Sequence, residues 1–266
     1  MTPVETGRGD SPLVLGLPHA GTWLPPEVRA ALNARGRGLE DTDWHVGRLY
    51  DGLLPGVTSV RATFHRYVID ANRDPDGSSL YPGQNSTGLV PLTGFDGLEI
   101  WQTPPSPADI AARLQMFHAP YHAALAAEMA RVHSRHGMVI LLDCHSIRSR
   151  LPFLFDGVLP DFNIGTNKGT SCAPALEKAV QAICAAAAGY TSVLNGRFKG
   201  GWTTRHYGRP QHNYHAIQLE LAQSAYLASE AAPWSYDEGK AARLRPHLRE
   251  ILARLADLAA SPGGAT

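Results

Sequence analysis

The sequence predicts an α/β fold built around a buried central strand. Residues Met138–Leu142 form an apolar run that ends abruptly at the polar cluster Asp143–Ser146. Such a run is too short to span a membrane and has the length of a strand that is buried on both faces. A second apolar run, Leu13–Leu17, is followed by His19 in the same way that the first is followed by His145. Because α/β sheets place their chemistry at the carboxyl ends of strands, we expect both histidines to lie at a functional edge.

Composition narrows the classes of protein that fit. The 266 residues suit one large domain, and we expect a single domain over residues 1–266. Charged residues make up 18% and the formal net charge is zero, which disfavours nucleic acid and anionic membrane as partners. The three cysteines lack zinc-ribbon spacing and are typical of reduced thiols. With neither a transmembrane run nor a signal-peptide pattern, we expect a soluble, cytoplasmic enzyme or binding protein.

The N-terminal half alternates predicted strands and helices. Residues Met1–Asp10 are expected to fray, and Arg35–Gly38 to form a flexible connection. Asp41 is the expected N-cap of a helix that buries Val46, Leu49 and Tyr50. The other expected segments are a helix over Glu27–Leu32, a strand over Val57–Thr63, a long ordered loop over Gly77–Gly97 and a helix over Ser106–His136.

The C-terminal half continues the same pattern. The expected elements are a strand and turn over Leu159–Thr166, a helix over Ala173–Ala187, strands over Thr191–Leu194 and Ala216–Leu221, and a closing helix over Glu238–Ala260.

Acidic residues and histidines at these strand ends are candidates for chemistry. His145 is either a metal ligand or base, or a buried histidine bonded to a backbone carbonyl. Of Asp41 and Asp43, one is enough to cap a helix, which leaves the other available to a metal. Glu220 alternates with apolar neighbours along its strand. Since an isolated buried carboxylate is costly, Glu220 is either paired or catalytic.

Two polar segments are suited to an anion. Asn72-Arg73 follows strand-like residues, and its guanidinium could clamp a carboxylate or instead pair with a neighbouring aspartate. Residues 195–208 combine four glycines with basic and polar side chains, among them Lys199, Arg205, His206 and Tyr207. Glycines let the backbone approach a ligand closely, and the basic groups favour negative charge.

Together these residues fit a metal-dependent hydrolase. Two histidines and a carboxylate leave open positions for water on zinc, and Glu220 could deprotonate that water and later protonate a leaving nitrogen. The sequence lacks the Gly-x-Ser-x-Gly, Walker and Gly-x-Gly-x-x-Gly motifs, which disfavours serine hydrolases, nucleotide triphosphatases and dinucleotide enzymes.

An ordered set of motifs resembles the N-formylglutamate amidohydrolase family of histidine degradation. The matching stretches run from Pro18 to about Leu227 and are PHAGTWLPPEV, DTDWHVGRLYD, FHRYVIDANRDPDG, YPGQNSTGLVP, DCHSIRS, LPDFNIGTNKGTSC, GGWTTRHYGRP and HAIQLELAQSAYL. The resemblance implies hydrolysis of N-formyl-L-glutamate, a small anionic N-acyl amino acid, to formate and L-glutamate. It also implies a three-layer α/β/α sandwich with a mixed central sheet, like that of zinc carboxypeptidases and aspartoacylases.

The resemblance implies roles for His19, Asn72, Arg73, His145 and Glu220, and the residues themselves suggest the others. Zinc or another divalent metal would be held by His19, Asp43 and His145. Glu220 would be the base, with Arg205 and His206 as further catalytic residues. The substrate would be held by Asn72, Arg73, Arg66, Lys199 and Tyr207.

One departure concerns the acidic ligand. Carboxypeptidases place that ligand three residues after the first histidine, where this sequence has Thr22. Asp43 is our substitute, with Asp41 in reserve.

Other functions are tested by the same residues. A relative acting on another N-acyl amino acid, or a carboxypeptidase-like peptidase, uses the same residues. A manganese ureohydrolase needs further acids after Asp143-Cys144-His145, where Ser146-Ile147 follow, and is rejected. A non-catalytic amino-acid-binding protein would be marked by loss of a ligand or of Glu220, and neither is lost.

Overall fold

The computed structural model describes residues 2–78 and 83–261, and within them the strands form one mixed sheet. Across the sheet the strands follow the order β1-β3-β2-β4-β7-β5-β6. The four strands β3, β2, β4 and β7 are parallel, while β1 is antiparallel to β3, and β5 and its parallel neighbour β6 run against β7. The strands are β1 (Val4–Gly7), β2 (Leu13–Leu17), β3 (Thr58–Ala62), β4 (Val139–Ile147), β5 (Phe162–Gly165), β6 (Ser192–Leu194) and β7 (Tyr214–Ala222).

Helices cover both faces of this sheet. Helices α3, α6 and α8 pack on one face, and α5 packs on the other across β1, β3, β2 and β4. The three layers confirm the predicted α/β/α architecture with a mixed central sheet. The helices are α1 (Pro26–Ala31), α2 (Ala34–Arg37), α3 (Val46–Tyr50), α4 (Pro107–Arg113), α5 (Ala119–His136), α6 (Pro174–Ala186), α7 (Trp202–Tyr207) and α8 (Glu238–Ala260).

The central strand β4 is buried along its whole length. Ile140 and Leu142 face the core under α8, and Val139 and Leu141 face the core under α5. Burial on both faces explains why this strand reads as a continuous apolar run. Because side chains alternate along a strand, Asp143 and His145 lie on the α5 face, beyond the part that α5 covers.

The helix predicted over Ser106–His136 is present but contains an irregular turn. Ser106 and Asp109 form a capping box at its start, and Leu114–His118 is π-helical between α4 and α5. Pro120 lies in the first turn of α5, where it cannot donate a backbone hydrogen bond to the preceding turn. The widened turn accommodates that missing donor.

Several sequence-based expectations about local structure were wrong. Asp41 does not cap α3; that helix starts at Val46 after His45, which has a positive φ of 59°. Residues Val4–Gly7 pair with β3 and do not fray. Asn33 caps the short helix α2 within the segment expected to be flexible.

The long loop after β3 and the hydropathy of the helices were also predicted from the sequence. The predicted loop over Gly77–Gly97 includes residues 79–82, which lie outside the described part of the chain; residues 83–97 form turns and irregular structure, as expected. None of the helices in the described residues combines the length and hydropathy needed to cross a bilayer.

Candidate active site

Three side chains that could hold a metal converge at the carboxyl end of the parallel strands. His19 follows β2, His145 lies in β4, and Asp43 comes from the turn before α3; all three are at most 3% exposed. The Nδ1 atoms of the two histidines are 3.1 Å apart, and Asp43 Oδ2 lies 3.8 Å from His19 Nδ1 and 3.2 Å from His145 Nδ1. Ligand atoms bonded to zinc at about 2.0–2.1 Å in a tetrahedron lie roughly 3.3–3.4 Å apart. The three atoms are therefore spaced to share one ion.

The outer nitrogens of both rings face carboxylates. His19 Nε2 lies 2.6 Å from Asp70 Oδ1, and His145 Nε2 lies 2.9 Å from Asp143 Oδ1. A metal-ligating histidine commonly donates its other ring N–H to a carboxylate, which fixes the tautomer and the ring orientation. Asp70 thus leaves the Nδ1 lone pair of His19 available to a cation, while Asp143 places negative charge close to the His145 ring.

Local backbone contacts hold the Asp43 carboxylate in place. The Asp43 N–H donates to the His19 carbonyl at 3.2 Å, and the Ser146 N–H donates to Asp43 Oδ2 at 3.1 Å. Asp41 lies outside the group, because its carboxylate accepts hydrogen bonds from Tyr67, Arg148 and the Phe95 backbone. Of the two acids considered from the sequence, Asp43 is the one beside both histidines.

The charges of these groups favour a cation. Burial, with the help of Arg66, lowers the pKa of His19 and keeps the ring neutral, which is the form that binds metal. Burial opposes the charge of His145 as well, but Asp143 and Asp43 raise the pKa of His145 well above its ordinary value. Carboxylates that pull a proton onto a ring would equally stabilise a metal ion at that position.

Glu220 lies directly across the β4–β7 pair from His145. It is 7% exposed, and Gln218 donates to its carboxylate at 3.2 Å. Burial raises the pKa of Glu220 to about 8, with Asp43 and Asp143 adding to the effect. A carboxylate that both holds and releases a proton near neutral pH is suited to general acid–base chemistry.

Arg66 supplies fixed positive charge next to these acids. Its guanidinium forms an ion pair with Asp43, lies 4.0 Å from Asp70 and stacks over Phe95 at 4.9 Å. Burial opposes its charge, but Asp43 and Asp70 raise the pKa of Arg66 above the usual value. Arg66 is therefore charged although it is only 5% exposed.

A cavity opens onto this cluster. Among the predicted site residues, its described walls contain His19, Arg66, Asn72, Arg73, His145 and Glu220. The Asn72 side chain contacts His145 Nε2 at 3.0 Å and accepts from the Thr203 N–H at 2.8 Å. Arg73 donates to the Thr87 carbonyl and hydroxyl at 2.9 and 3.0 Å.

Comparison with known proteins identifies the family. The model of the N-formylglutamate amidohydrolase family matches residues 11–227. The chain belongs to the N-formylglutamate amidohydrolase family. It is 48% identical to the N-formylglutamate deformylase of Pseudomonas aeruginosa, over 93% of this chain and 94% of that protein. It is 45% identical to the N-formylglutamate deformylase of Pseudomonas putida, over 93% of each chain.

Solved structures share the fold. The crystal structure of N-formylglutamate amidohydrolase from Ralstonia eutropha superposes with a TM-score of 0.79 at 29% identity, covering 97% of this chain and 98% of that one. A structure from Agrobacterium tumefaciens has a TM-score of 0.72 at 19% identity, covering 94% and 93%, and supports the fold alone.

Four other residues predicted from the sequence are not among the described residues that line the cavity. His206 is exposed and stacks on Trp202, with ring centroids 4.3 Å apart. Tyr207 is buried under α5, where its hydroxyl lies 3.1 Å from His122 Nδ1. Arg205 donates to the Gly200 carbonyl at 3.0 Å, and the Lys199 carbonyl accepts from Asn167 at 2.6 Å.

Residues 195–208, which include these four, contact the site through other groups. Their helix α7 places the Thr204 hydroxyl 3.1 Å from Asp143 Oδ2 and the Thr203 N–H on Asn72. The Gly201 N–H donates to Gln218 at 2.7 Å, and an added Cβ at Gly201 would overlap the Asn72 amide at 2.4 Å. Gly201 thus lets the backbone approach the Asn72 side chain closely. The sequence had predicted such a close approach to a ligand instead.

Sequence reasoning did not assign roles to Asp70, Asp143, Gln218 or Arg197. Strand alternation would have found two of them, because Asp143 and Gln218 lie two residues before His145 and Glu220 on the same face. No local pattern links Asp70 to His19, because their contact joins residues 51 positions apart.

Proposed function

We propose that this chain is a metal-dependent N-formylglutamate deformylase, which hydrolyses N-formyl-L-glutamate to formate and L-glutamate. The observation that carries the proposal is the buried group His19, Asp43 and His145, across one strand pair from Glu220. The printed names of the Pseudomonas relatives support the substrate.

His19, Asp43 and His145 would hold the metal, which we propose to be zinc. Two imidazoles and one carboxylate are a donor set typical of catalytic zinc, and their spacing suits a tetrahedral ion. A divalent ion at this position supplies a Lewis acid, which polarises a carbonyl and makes bound water more acidic.

Glu220 would move the proton. Its carboxylate accepts a proton from the attacking water as the water oxygen bonds to the formyl carbon. It then delivers that proton to the amide nitrogen as the carbon–nitrogen bond breaks, which releases formate and the amino group of glutamate. Burial supports both roles, since it raises the pKa of Glu220 to about 8.

Arginines would bind the anionic groups. Arg66 lines the cavity beside the metal group, meaning His19, Asp43 and His145. It is suited to the negative charge that develops on the formyl oxygen. Arg73, next to Asn72, is suited to a substrate carboxylate. Arg205, His206, Lys199 and Tyr207 remain predictions from the sequence, and no step above depends on them.

Formate release from N-formyl-L-glutamate by purified protein tests the activity, with N-acetyl-L-glutamate and a short peptide as alternative substrates. Metal content by elemental analysis is measured in parallel on the wild type and on His145→Ala, with the exposed His212→Ala as a matched control. We expect formate release that is lost on chelation and restored by added zinc, and loss of bound metal in His145→Ala alone.

Two outcomes would contradict the proposal. Preferential cleavage of N-acetyl-L-glutamate or of the peptide would favour the other N-acyl amino acid hydrolases. Full stoichiometric metal in His145→Ala would remove the metal assignment.

The biological setting is part of the same proposal. We infer that this reaction is the last step of a histidine degradation route, as the family resemblance implies. A cytoplasmic location and a single domain over residues 1–266 stay predictions from the sequence.

A further inference from the structure

We propose that Arg197 binds the side-chain carboxylate of the substrate and thereby makes the site selective for N-formyl amino acids with two carboxylates. This inference rests on the proposed function. It concerns a residue in the cavity wall that plays no part in the chemistry described above.

The guanidinium of Arg197 is held in a fixed orientation. Its Nε donates to the Leu154 carbonyl at 2.9 Å, and its Nη2 donates to the Asn85 carbonyl at 2.8 Å. Both acceptors are backbone oxygens, and these two bonds fix the orientation of the group in the cavity wall. An arginine oriented in advance loses little freedom when it binds a carboxylate in its planar fork.

Arg197 and Arg73 are attached to the same short stretch of chain. Arg73 donates to Thr87, and Arg197 donates to Asn85, two residues earlier. Residues two apart are separated by at most about 7 Å along a fully extended chain. The two carboxyl carbons of glutamate are joined by four carbon–carbon bonds of about 1.5 Å and lie roughly 5 Å apart when extended. Both arginines therefore line the cavity and bond to the same short loop, which has about the length of a dicarboxylate.

The cavity wall near Arg197 is suited to the rest of a glutamate side chain. Leu154, Phe198 and Ile147 line the cavity and pack in one small apolar cluster. Two methylene groups between the carboxylates could bury against this surface without leaving a polar group unpaired.

The order of the two carboxylates follows from the substrate. The α-carboxyl carbon is separated from the formyl carbon by only the nitrogen and Cα, so it must bind close to the metal group. Arg73 follows Asn72, whose amide contacts His145, and is therefore assigned to the α-carboxylate. Arg197 is then left to the side-chain carboxylate, on the wall formed by the loops that contain Asn85 and Leu154.

The test compares N-formyl-L-glutamate with N-formyl-L-glutamine, which has the same shape but no side-chain charge. The quantity measured is the ratio of kcat/KM for the two substrates, from formate release. In Arg197→Gln this ratio should fall by roughly 10- to 150-fold, the usual worth of a hydrogen bond to a charged group. Arg197→Lys should give an intermediate ratio, because it keeps the charge but loses the fork.

Two variants separate this role from a general one. Arg73→Lys should weaken kcat/KM on both substrates alike, because both have an α-carboxylate, and so leave the ratio near that of the wild type. Arg209→Gln removes an exposed arginine, and its ratio and kcat/KM should match the wild type.

Each outcome decides the matter. A wild-type ratio in Arg197→Gln of normal melting temperature would overturn the inference and leave the proposed function intact. A fall in the ratio in Arg73→Lys alone would likewise overturn it. If Arg197→Gln fails to fold, Arg197→Lys decides, and a wild-type ratio there contradicts the assignment. A wild type that releases formate from neither substrate would remove the proposed function and this inference with it.

Discussion

Glu220 and His145 face the same side of the sheet from neighbouring strands. Glu220→Gln keeps the shape and hydrogen bonding of the side chain but removes its capacity to take a proton. We expect metal and substrate binding to be nearly normal and kcat to fall by roughly 10²–10⁴. Calorimetry for binding and formate release for turnover measure the two effects separately.

The control for this change is Glu250→Gln, an exposed glutamate on α8 that should leave kcat unaltered. A near-normal kcat in Glu220→Gln would make Glu220 a structural acid and pass the role of base to another residue.

Asp70 contacts the outer nitrogen of His19, which is one of the three proposed metal ligands. Asp70→Asn removes the carboxylate that accepts from His19 Nε2. Partners of this kind typically contribute 10- to 100-fold to metal affinity, and we expect a loss of roughly that size. Zinc titration against a competing chelator measures it, with the exposed Asp257→Asn as the control. Unchanged affinity would mean that the backbone around His19 orients the ring by itself.

At the scale of elements, the turn after β2 is packed unusually closely on the end of β3. A Cβ added at Gly21 would lie 2.3–2.5 Å from the backbone of Thr63 and Phe64. Gly21→Ala should therefore push the turn away and destabilise the fold by about 1–3 kcal/mol, as overpacking does. Because His19 lies two residues before, the variant should also retain less metal.

Urea denaturation and elemental analysis check both effects of Gly21→Ala. Gly88→Ala is the matched control, because Gly88 is exposed and its added Cβ would meet no described atom closer than 4.0 Å. Equal stability and metal content in the two variants would show that the turn can shift without cost.

The elements best predicted from the sequence were those marked by a pattern of neighbouring residues, such as an apolar run or an amphipathic repeat. The closing helix Glu238–Ala260 has the predicted bounds, because its amphipathic pattern extends over many residues. The cap assigned to Asp41 was wrong because its carboxylate bonds to Tyr67 and Arg148, which approach only in the folded chain. Helix α7 was not predicted, because residues 195–208 contain four glycines. None of them lies between Trp202 and Tyr207.

At the scale of the whole molecule, buried histidines tie stability to pH. His215 is 2% exposed, its Nδ1 accepts from the Ala173 N–H, and burial lowers the pKa of His215 to about 4. The unfolded chain takes up a proton there below about pH 6.5, whereas the folded chain does so only near pH 4. The free energy of unfolding should therefore fall by about 1 to 2 kcal/mol between pH 7 and pH 5 on account of His215.

Urea denaturation at pH 7 and pH 5 isolates this contribution. In His215→Gln the loss of stability between the two pH values should be smaller by that amount, and in the exposed His212→Gln it should match the wild type. The same pH dependence in wild type and His215→Gln would mean that folding does not alter how readily His215 is protonated.

How far the site could be predicted also depends on scale. His19, His145 and Glu220 were predicted because each follows or interrupts an apolar strand, which is a local pattern, and the structure places His19 and His145 together with Asp43. Residues 195–208 were expected to contact an anion, but only the neighbouring tertiary contacts distinguish Arg197, which lines the cavity, from His206, which is exposed. The path of distant loops decides which basic residue lines a cavity. The composition of one segment cannot predict that path.

The pairing of His145 with Glu220 has a consequence for how such a protein can diversify. Paired positions on adjacent strands are held about 4.8 Å apart by the backbone ladder, whatever the surrounding loops do. The residues that contact the far end of the cavity, by contrast, belong to connecting segments that tolerate exchange. Under the proposed function, the reaction and the recognition of the substrate would depend on separate parts of the chain. Replacing residues 195–200 with a different segment should then change which substrates are preferred, while His145 and Glu220 keep their relative positions.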